Sequence, residues 1–215
     1  CSIASMRVKS TFSKYSGMRN HMGLTGAQAA ERVLHGAGIY DVRIERVAGN
    51  LTDHYDPRNK VLRLSDATYG QCSVAAVGVA AHECGHAIQH ARGYAPLQFR
   101  SALVPVANFG SMIAWPLIVL GLFINSQSSA LLINIGILAF SLAVLFQLVT
   151  LPVEYNASGR AVRILAETGM MQGEEIVATK KVLNAAALTY VASAAAAILQ
   201  LVRILILTGG RRRDD

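Results

Sequence analysis

Ala80-Ala81-His82-Glu83-Cys84-Gly85-His86-Ala87-Ile88 is the stretch around which the rest of the chain is organised. On an α-helix, residues four apart share a face about 6 Å apart along the axis, so His82 and His86 can close on one Zn2+ through neutral ring nitrogens. Glu83, one residue round the helix, can then reach the water on that ion. Zinc brings the pKa of its water to about 7, and a neighbouring carboxylate can take the proton and pass it to a leaving amine. The pattern predicts peptide hydrolysis by a zinc-activated water, with one catalytic ion, Glu83 as general base and an HExxH helix as the frame. Local signals agree. Ser73 can N-cap a helix, a run of Val and Ala follows, and Gly93 after Arg92 can close it.

Of the 215 residues, 53% are hydrophobic and only 15% charged, against about 25% in an ordinary soluble domain, which directs attention to a membrane. No Asp, Glu, Lys or Arg occurs from Ser101 to Val153, an interval long enough for two spans of about 20 residues each. Asn125-Ser126-Gln127-Ser128-Ser129 supplies a turn between them, so a hairpin of about Ala102–Ile124 and Ala130–Leu151 is expected. A third uncharged run, Val182–Val202, is interrupted by Arg203 and resumes over Ile204–Leu207, with Arg203 placed to snorkel. The net charge of +7 suits flanks that lie against anionic headgroups. The scattered cations lack interleaved aromatics, which argues against a nucleic-acid partner. Cys1, Cys72 and Cys84 show no pairing pattern, so a reduced compartment is the default. The opening Cys1-Ser2-Ile3-Ala4-Ser5-Met6 reads as the tail of something longer.

Arg7 to Asn20 reads as a basic juxtamembrane helix, either a solvated face or a lipid contact. Thr25-Gly26-Ala27-Gln28 has capping-box spacing and opens an amphipathic helix that stops at Gly36 or Gly38. Val42, Ile44 and Val47 form a loosely alternating strand, Gly49-Asn50 turns it, and Leu51–Tyr55 runs back. Asp56-Pro57-Arg58-Asn59 is a second turn and Val61–Leu64 the next strand, giving a small antiparallel sheet as candidate peptide-binding edge.

A catalytic zinc usually has three protein ligands and one open position. His90 lies about 12 Å along the helix axis from His82 and cannot join both histidines on one ion. Downstream, Glu174 and Glu175 suit a helix N-terminus, and Asp214 and Asp215 end a polar tail. Glu154 follows an apolar span and a Pro, where an unpaired carboxylate is costly, so it is the expected third ligand, with Glu167 in reserve. The apolar run before His82 is too short to span, and no later apolar segment carries an Asp. This argues for a site at the membrane surface over one buried in the bilayer. Tyr190 or His54 is expected near the open position as a stabilising donor.

The chain resembles the YugP-type neutral zinc metallopeptidases, a bacterial membrane family distantly similar to HtpX-like and CAAX-prenyl endopeptidases. The resemblance rests on Tyr15, Gly23-Leu24-Thr25, Leu51-Thr52-Asp53-His54-Tyr55-Asp56-Pro57, Ala81 to Gln89, Leu151-Pro152-Val153-Glu154 and Ala187-Leu188-Thr189-Tyr190. It implies His82, His86 and Glu154 as ligands, Glu83 as base, and a further N-terminal span before Arg7. Two positions depart from the pattern. Asn156 stands where the family tends to carry Asp, and Ser158 stands where HtpX-like relatives place an Asp. A carboxylate to orient a ligand imidazole is therefore not obvious, which leaves Asp53 or Asp66 as substitutes.

The expected architecture is α+β and mostly helical: a membrane-embedded, zincin-like metallopeptidase of one domain, 1–215. Its parts are the zinc-helix and sheet region 7–100, the hairpin 102–151, the third-ligand region 152–181 and a last span 182–208. Arg92, Arg100, Arg160, Arg163, Lys180 and Lys181 flank the catalytic side, while the Asn125–Ser129 loop has no cation. The positive-inside rule then puts the site in the cytoplasm of a bacterial inner-membrane protein, against which Arg211-Arg212-Arg213 would lie outside if the last segment spans fully. The partners expected are a peptide or protein substrate and the lipid bilayer. The competing class is a zinc-containing membrane scaffold or regulator without turnover, which an intact Glu83 disfavours.

Overall fold

Helix α1 (Ser2–Ser16) precedes α2 (Gly26–Gly36), whose start carries the anticipated capping box. The Gln28 amide donates to the Thr25 hydroxyl at 3.2 Å and the Thr25 amide donates to the Gln28 side-chain oxygen at 3.0 Å, which satisfies two of the orphan donors of a helix N-terminus. Strands β1 (Arg43–Val47), β2 (His54–Asp56) and β3 (Val61–Ser65) follow, then the short α3 (Asp66–Tyr69). Helix α4 (Val74–Ala91) carries the His82-Glu83 motif. It starts where Ser73 accepts from the Ala76 amide and ends before Gly93, whose φ of +61° is the left-handed stop that its residue type allows. Three long helices complete the chain: α5 (Ala95–Phe123), α6 (Ser128–Glu167) and α7 (Glu174–Gly209). The computed structural model describes residues 2–124 and 128–209. Cys1, residues 125–127 of the expected turn, and residues 210–215 fall outside them, while Ser128 and Ser129 already belong to α6.

The sheet differs from the expected antiparallel one. Its order is β1-β3-β2, with β3 antiparallel to β2 but parallel to β1. Arg43 lies opposite Val61 and Val47 opposite Ser65, while His54 faces Arg63. The physical reason is apolar content: Val61, Leu62 and Leu64 are fully buried, whereas β1 and β2 carry Arg, Glu, His and Asp. The strand with most to bury takes the centre, and the charged strands blunt the edges.

The chain divides into two units. The first, Cys1–Tyr94 with Val153–Thr189, has a core of Val33 and Leu34 from α2, Leu62 and Leu64 from β3, Val77, Ala80, Ala81, Cys84 and Ile88 from α4, and Ala161 and Leu165 from α6. Helix α4 is apolar on nearly all sides, as expected of a helix through the middle of a core. Its small residues let backbones approach. A Cβ built on Gly85 would lie 2.6 Å from the Ala157 carbonyl oxygen of α6.

The second unit, Ala95–Pro152 with Tyr190–Asp215, contains α5 and the apolar parts of α6 and α7. All three helices are long and apolar enough to cross a bilayer, and the expected spans lie inside them except for Ile124, one residue past the end of α5. A Cβ on Gly110 would meet the Ala139 carbonyl at 2.7 Å and one on Gly136 the Ala114 carbonyl at 2.9 Å. Such small-residue seams are how helices associate where lipid replaces water. Phe109, Met112, Leu131 and Leu138 are exposed, as side chains in hydrocarbon would be.

The Gly85 approach is directly testable. Gly85→Ala should destabilise the protein by about 1–3 kcal/mol, because backbone cannot move aside as a side-chain tip can. Gly159→Ala is its opposite: a Cβ there meets nothing within 4 Å, so the change should be neutral or stabilising by up to about 1 kcal/mol through helix propensity. Thermal unfolding in detergent reads both, and equal melting temperatures for the two variants would contradict the packing described.

Candidate metal centre

His82 and His86 sit one turn apart on α4, their rings edge to face with centroids 4.8 Å apart. Glu154 enters from α6 and is almost fully buried. Its Oε2 lies 3.3 Å from His82 Nε2 and 3.5 Å from His86 Nε2. One ligand atom from each residue falls within 4.8 Å of the others, and no fourth His, Cys, Asp or Glu joins the group among the described residues. A tetrahedral ion with donors at 2.0–2.1 Å requires them to lie about 3.3–3.4 Å apart. The two histidine–carboxylate separations match that edge.

The donor set also presents the right lone pairs. Gln89, fully buried on the next turn of α4, donates from Nε2 to the Val153 carbonyl at 2.8 Å and to Asn156 Oδ1 at 3.0 Å. A peptide carbonyl can only accept, so the amide orientation is settled and Gln89 Oε1 must face His86 Nδ1, 3.0 Å away. His86 Nδ1 therefore carries the proton, and in the neutral ring Nε2 directs a lone pair at Glu154. Two facing lone pairs require a cation between them. A proton is one such cation: burial opposes a charged His86, yet the contact with Glu154 and the field of Glu83 outweigh it and leave the pKa raised. A divalent metal is the other, and the separations suit it.

His82 Nδ1 pairs with Ser158 Oγ at 3.0 Å. The two family departures thus sit beside the site. Ser158 touches one imidazole directly, whereas Asn156 acts one step back, accepting from Gln89 and, at 2.7 Å, from Arg160 Nε. The proposed substitutes do not take part: Asp53 accepts from the Ser65 amide and hydroxyl, and Asp66 from Arg46 and the Gly49 amide. Gln89 was quoted in the motif without a role. The sequence marks it only by its place one turn past His86, since its burial and partners come from the fold.

The side chain of Glu83, partly exposed, makes no hydrogen bond with another described residue. Glu167 ends α6 exposed, about 20 Å along the helix from Glu154 by helical rise, too far to share an ion. His90 is exposed and bonds through Nδ1 to the Tyr55 hydroxyl at 2.9 Å, tying β2 to α4. Burial and then the charges of Asp41 and Asp56 push the Tyr55 phenol up to about 12, so it stays protonated. The His54 ring engages the Thr52 carbonyl at 2.9 Å and faces the Arg63 guanidinium at 3.5 Å. Tyr190 lies on α7 in the second unit. Cys84 is wholly buried against the Ala30 carbonyl, and burial raises its thiol pKa strongly, as a packing residue requires.

Gln89→Leu should leave the fold intact but weaken metal binding by about 10–100-fold, because His86 loses the acceptor that fixes its tautomer. Gln89→Glu keeps that acceptor and should recover most of the affinity. Competition with a chromophoric chelator measures both, and unchanged affinity in the Leu variant would remove Gln89 from this role.

Comparison with known proteins gives the family. Residues 1–209 match the family described as "Putative neutral zinc metallopeptidase". The chain is 47% identical over 209 residues to the "Putative membrane protease YugP" of Bacillus subtilis (strain 168), covering 97% of this chain and 92% of that protein. No solved structure matches significantly. With its family match running from the first residue to the end of α7, the chain belongs to the neutral zinc metallopeptidase family.

Proposed function

We propose that this protein is a zinc-dependent endopeptidase of zincin-like design acting at the surface of the membrane that holds it. The observation that carries the reading is Glu154 Oε2 lying 3.3 Å from His82 Nε2 and 3.5 Å from His86 Nε2, two separations suited to the edges of one tetrahedral site. Zinc bound there would supply Lewis acidity, polarising a water molecule and the scissile carbonyl. The protein's own groups do the rest. His82 and His86 offer Nε2 while Ser158 and Gln89 hold their Nδ1 atoms. Glu154 brings one negative charge to a buried place. Glu83, next to His82 and without a competing partner, takes the proton from the attacking water and returns it to the leaving amine. Three ligands and a nearby unengaged carboxylate suit turnover, whereas a structural zinc site is closed by a fourth Cys or His.

Strand β2 is a sheet edge tied to α4 through Tyr55 and His90, and we assign it the extended part of the substrate, held by strand addition. The cations flanking the catalytic residues, Arg92, Arg160, Arg163, Lys180 and Lys181, support a cytoplasmic site in a bacterial inner membrane.

Purified protein should carry about one zinc per chain and cleave an unstructured protein such as casein, with activity lost to a chelator and restored by zinc. Glu83→Gln should retain the zinc and lose about 10²–10⁴-fold in turnover, the usual contribution of a general base. Undiminished cleavage by that variant would overturn the mechanism. Glu154→Ala should lower zinc occupancy while Glu167→Ala leaves it unchanged. The reverse pattern in elemental analysis would reassign the third ligand.

A further inference from the structure

A second polar site lies within the first unit, lined by one face of α1 and one face of α7. Arg7, Ser10, Thr11, Lys14 and Tyr15 recur on α1 at intervals of three and four, as do Lys181, Asn184, Ala185 and Leu188 on α7. Each set is therefore a single helical stripe. Between them is a groove of about 330 Å³, within the range of small-ligand sites. Arg7, Lys14 and Lys181 line it and no Asp or Glu does. Among the described residues none of these three cations is in an ion pair with a carboxylate, and the one contact recorded for them is Lys14 over the Tyr15 ring at 5.5 Å. Hydroxyls of Ser10 and Thr11 and the Asn184 amide add neutral donors. Like charges gathered without a counter-charge repel one another, and an anion seated among them turns that cost into attraction.

The groove also changes character along its length. Lys181 is the last charge before the uncharged run that begins at Val182, and the lining continues one and two turns on with Ala185 and an exposed Leu188. A headgroup end passing into an apolar end matches the two parts of a lipid. α1 adds exposed Ile3 and Met6 beside Arg7, apolar side chains suited to the interfacial layer.

We propose that this groove binds the headgroup phosphate of an anionic phospholipid, with Arg7, Lys14 and Lys181 as its cationic ligands and Leu188 against the first part of an acyl chain. The phosphodiester is shared by charged and zwitterionic lipids, so net lipid charge is what three unpaired cations select. The site is separate from the zinc ligands, and its test does not depend on peptidase activity.

Native mass spectrometry of the full chain in detergent, titrated with phosphatidylglycerol or phosphatidylcholine of identical acyl chains, provides the measurement. One phosphatidylglycerol should be retained at least about tenfold more tightly than phosphatidylcholine, and each groove cation removed should cost roughly fivefold. Lys14→Gln with Lys181→Gln should thus abolish most of the preference, while Lys14→Arg with Lys181→Arg keeps it. Lys9→Gln, on α1 but outside the groove lining, should leave it unchanged, and each variant's melting temperature checks that it is folded. Equal retention of the two lipids, an unaffected Gln double variant, or an equal loss in Lys9→Gln would overturn the proposal. Displacement of the lipid by millimolar inorganic phosphate would assign the groove to free phosphate and overturn the lipid.

Discussion

The candidate metal centre depends on how closely two backbones can approach. Gly85 lies between His82 and His86, Ala157 lies between Glu154 and Ser158, and a Cβ on Gly85 would press on the Ala157 backbone, 2.6 Å from its carbonyl oxygen. A larger residue at Gly85 would hold the helices apart by a sizeable fraction of an ångström or more. The tolerance of a tetrahedral site is smaller than that, since ligand distances vary within about 0.2 Å. Core packing and ligand geometry are therefore one constraint here. Ala80, Ala81 and Ala87 of α4 belong to the same buried core, where small side chains permit close packing around the helix that carries the histidines.

A second layer of polar groups converts proximity into chemistry. Burying Glu154 beside two imidazoles would be expensive without compensation. The compensation is organised: Val153 orients Gln89, Gln89 orients His86, and Asn156 is itself held by Arg160, whose guanidinium lies 5.9 Å from the Tyr94 ring centroid. Each member has a direction set by an acceptor that cannot donate or a cation that cannot accept. Neutral amides and a hydroxyl do here what a carboxylate does in many zinc sites. A carboxylate would add negative charge to a donor set that already contains Glu154.

Much of this was legible in the sequence because it is local or because charge is scarce. Thr25, Ser73 and Gly93 announce helix ends through chemistry confined to a few residues. Glu154 stands out because the preceding 53 residues from Ser101 contain no charge at all. What was not legible is non-local. The order β1-β3-β2 follows from competition among strands for the centre, and a parallel β1–β3 pair leaves no turn signal between adjacent segments. The roles of Gln89 and Ser158 were hidden for a related reason, since neutral polar side chains acquire a direction only from groups that folding brings beside them. The basic stripe of α1 gave no hint of its partner stripe on α7, far away in the sequence.

The order of the chain itself has a consequence for biosynthesis. His82 and His86 leave the ribosome well before Glu154, and the charge-free interval between them must be made first. Under the proposed function, the nascent polypeptide until then offers only two of the three ligands, too few to retain zinc strongly. Maturation of the centre is therefore timed by completion of the apolar hairpin. Under the proposed function, activity waits until the long apolar segments have been made, so the nascent chain is inert during the interval when it is surrounded by other unfolded chains.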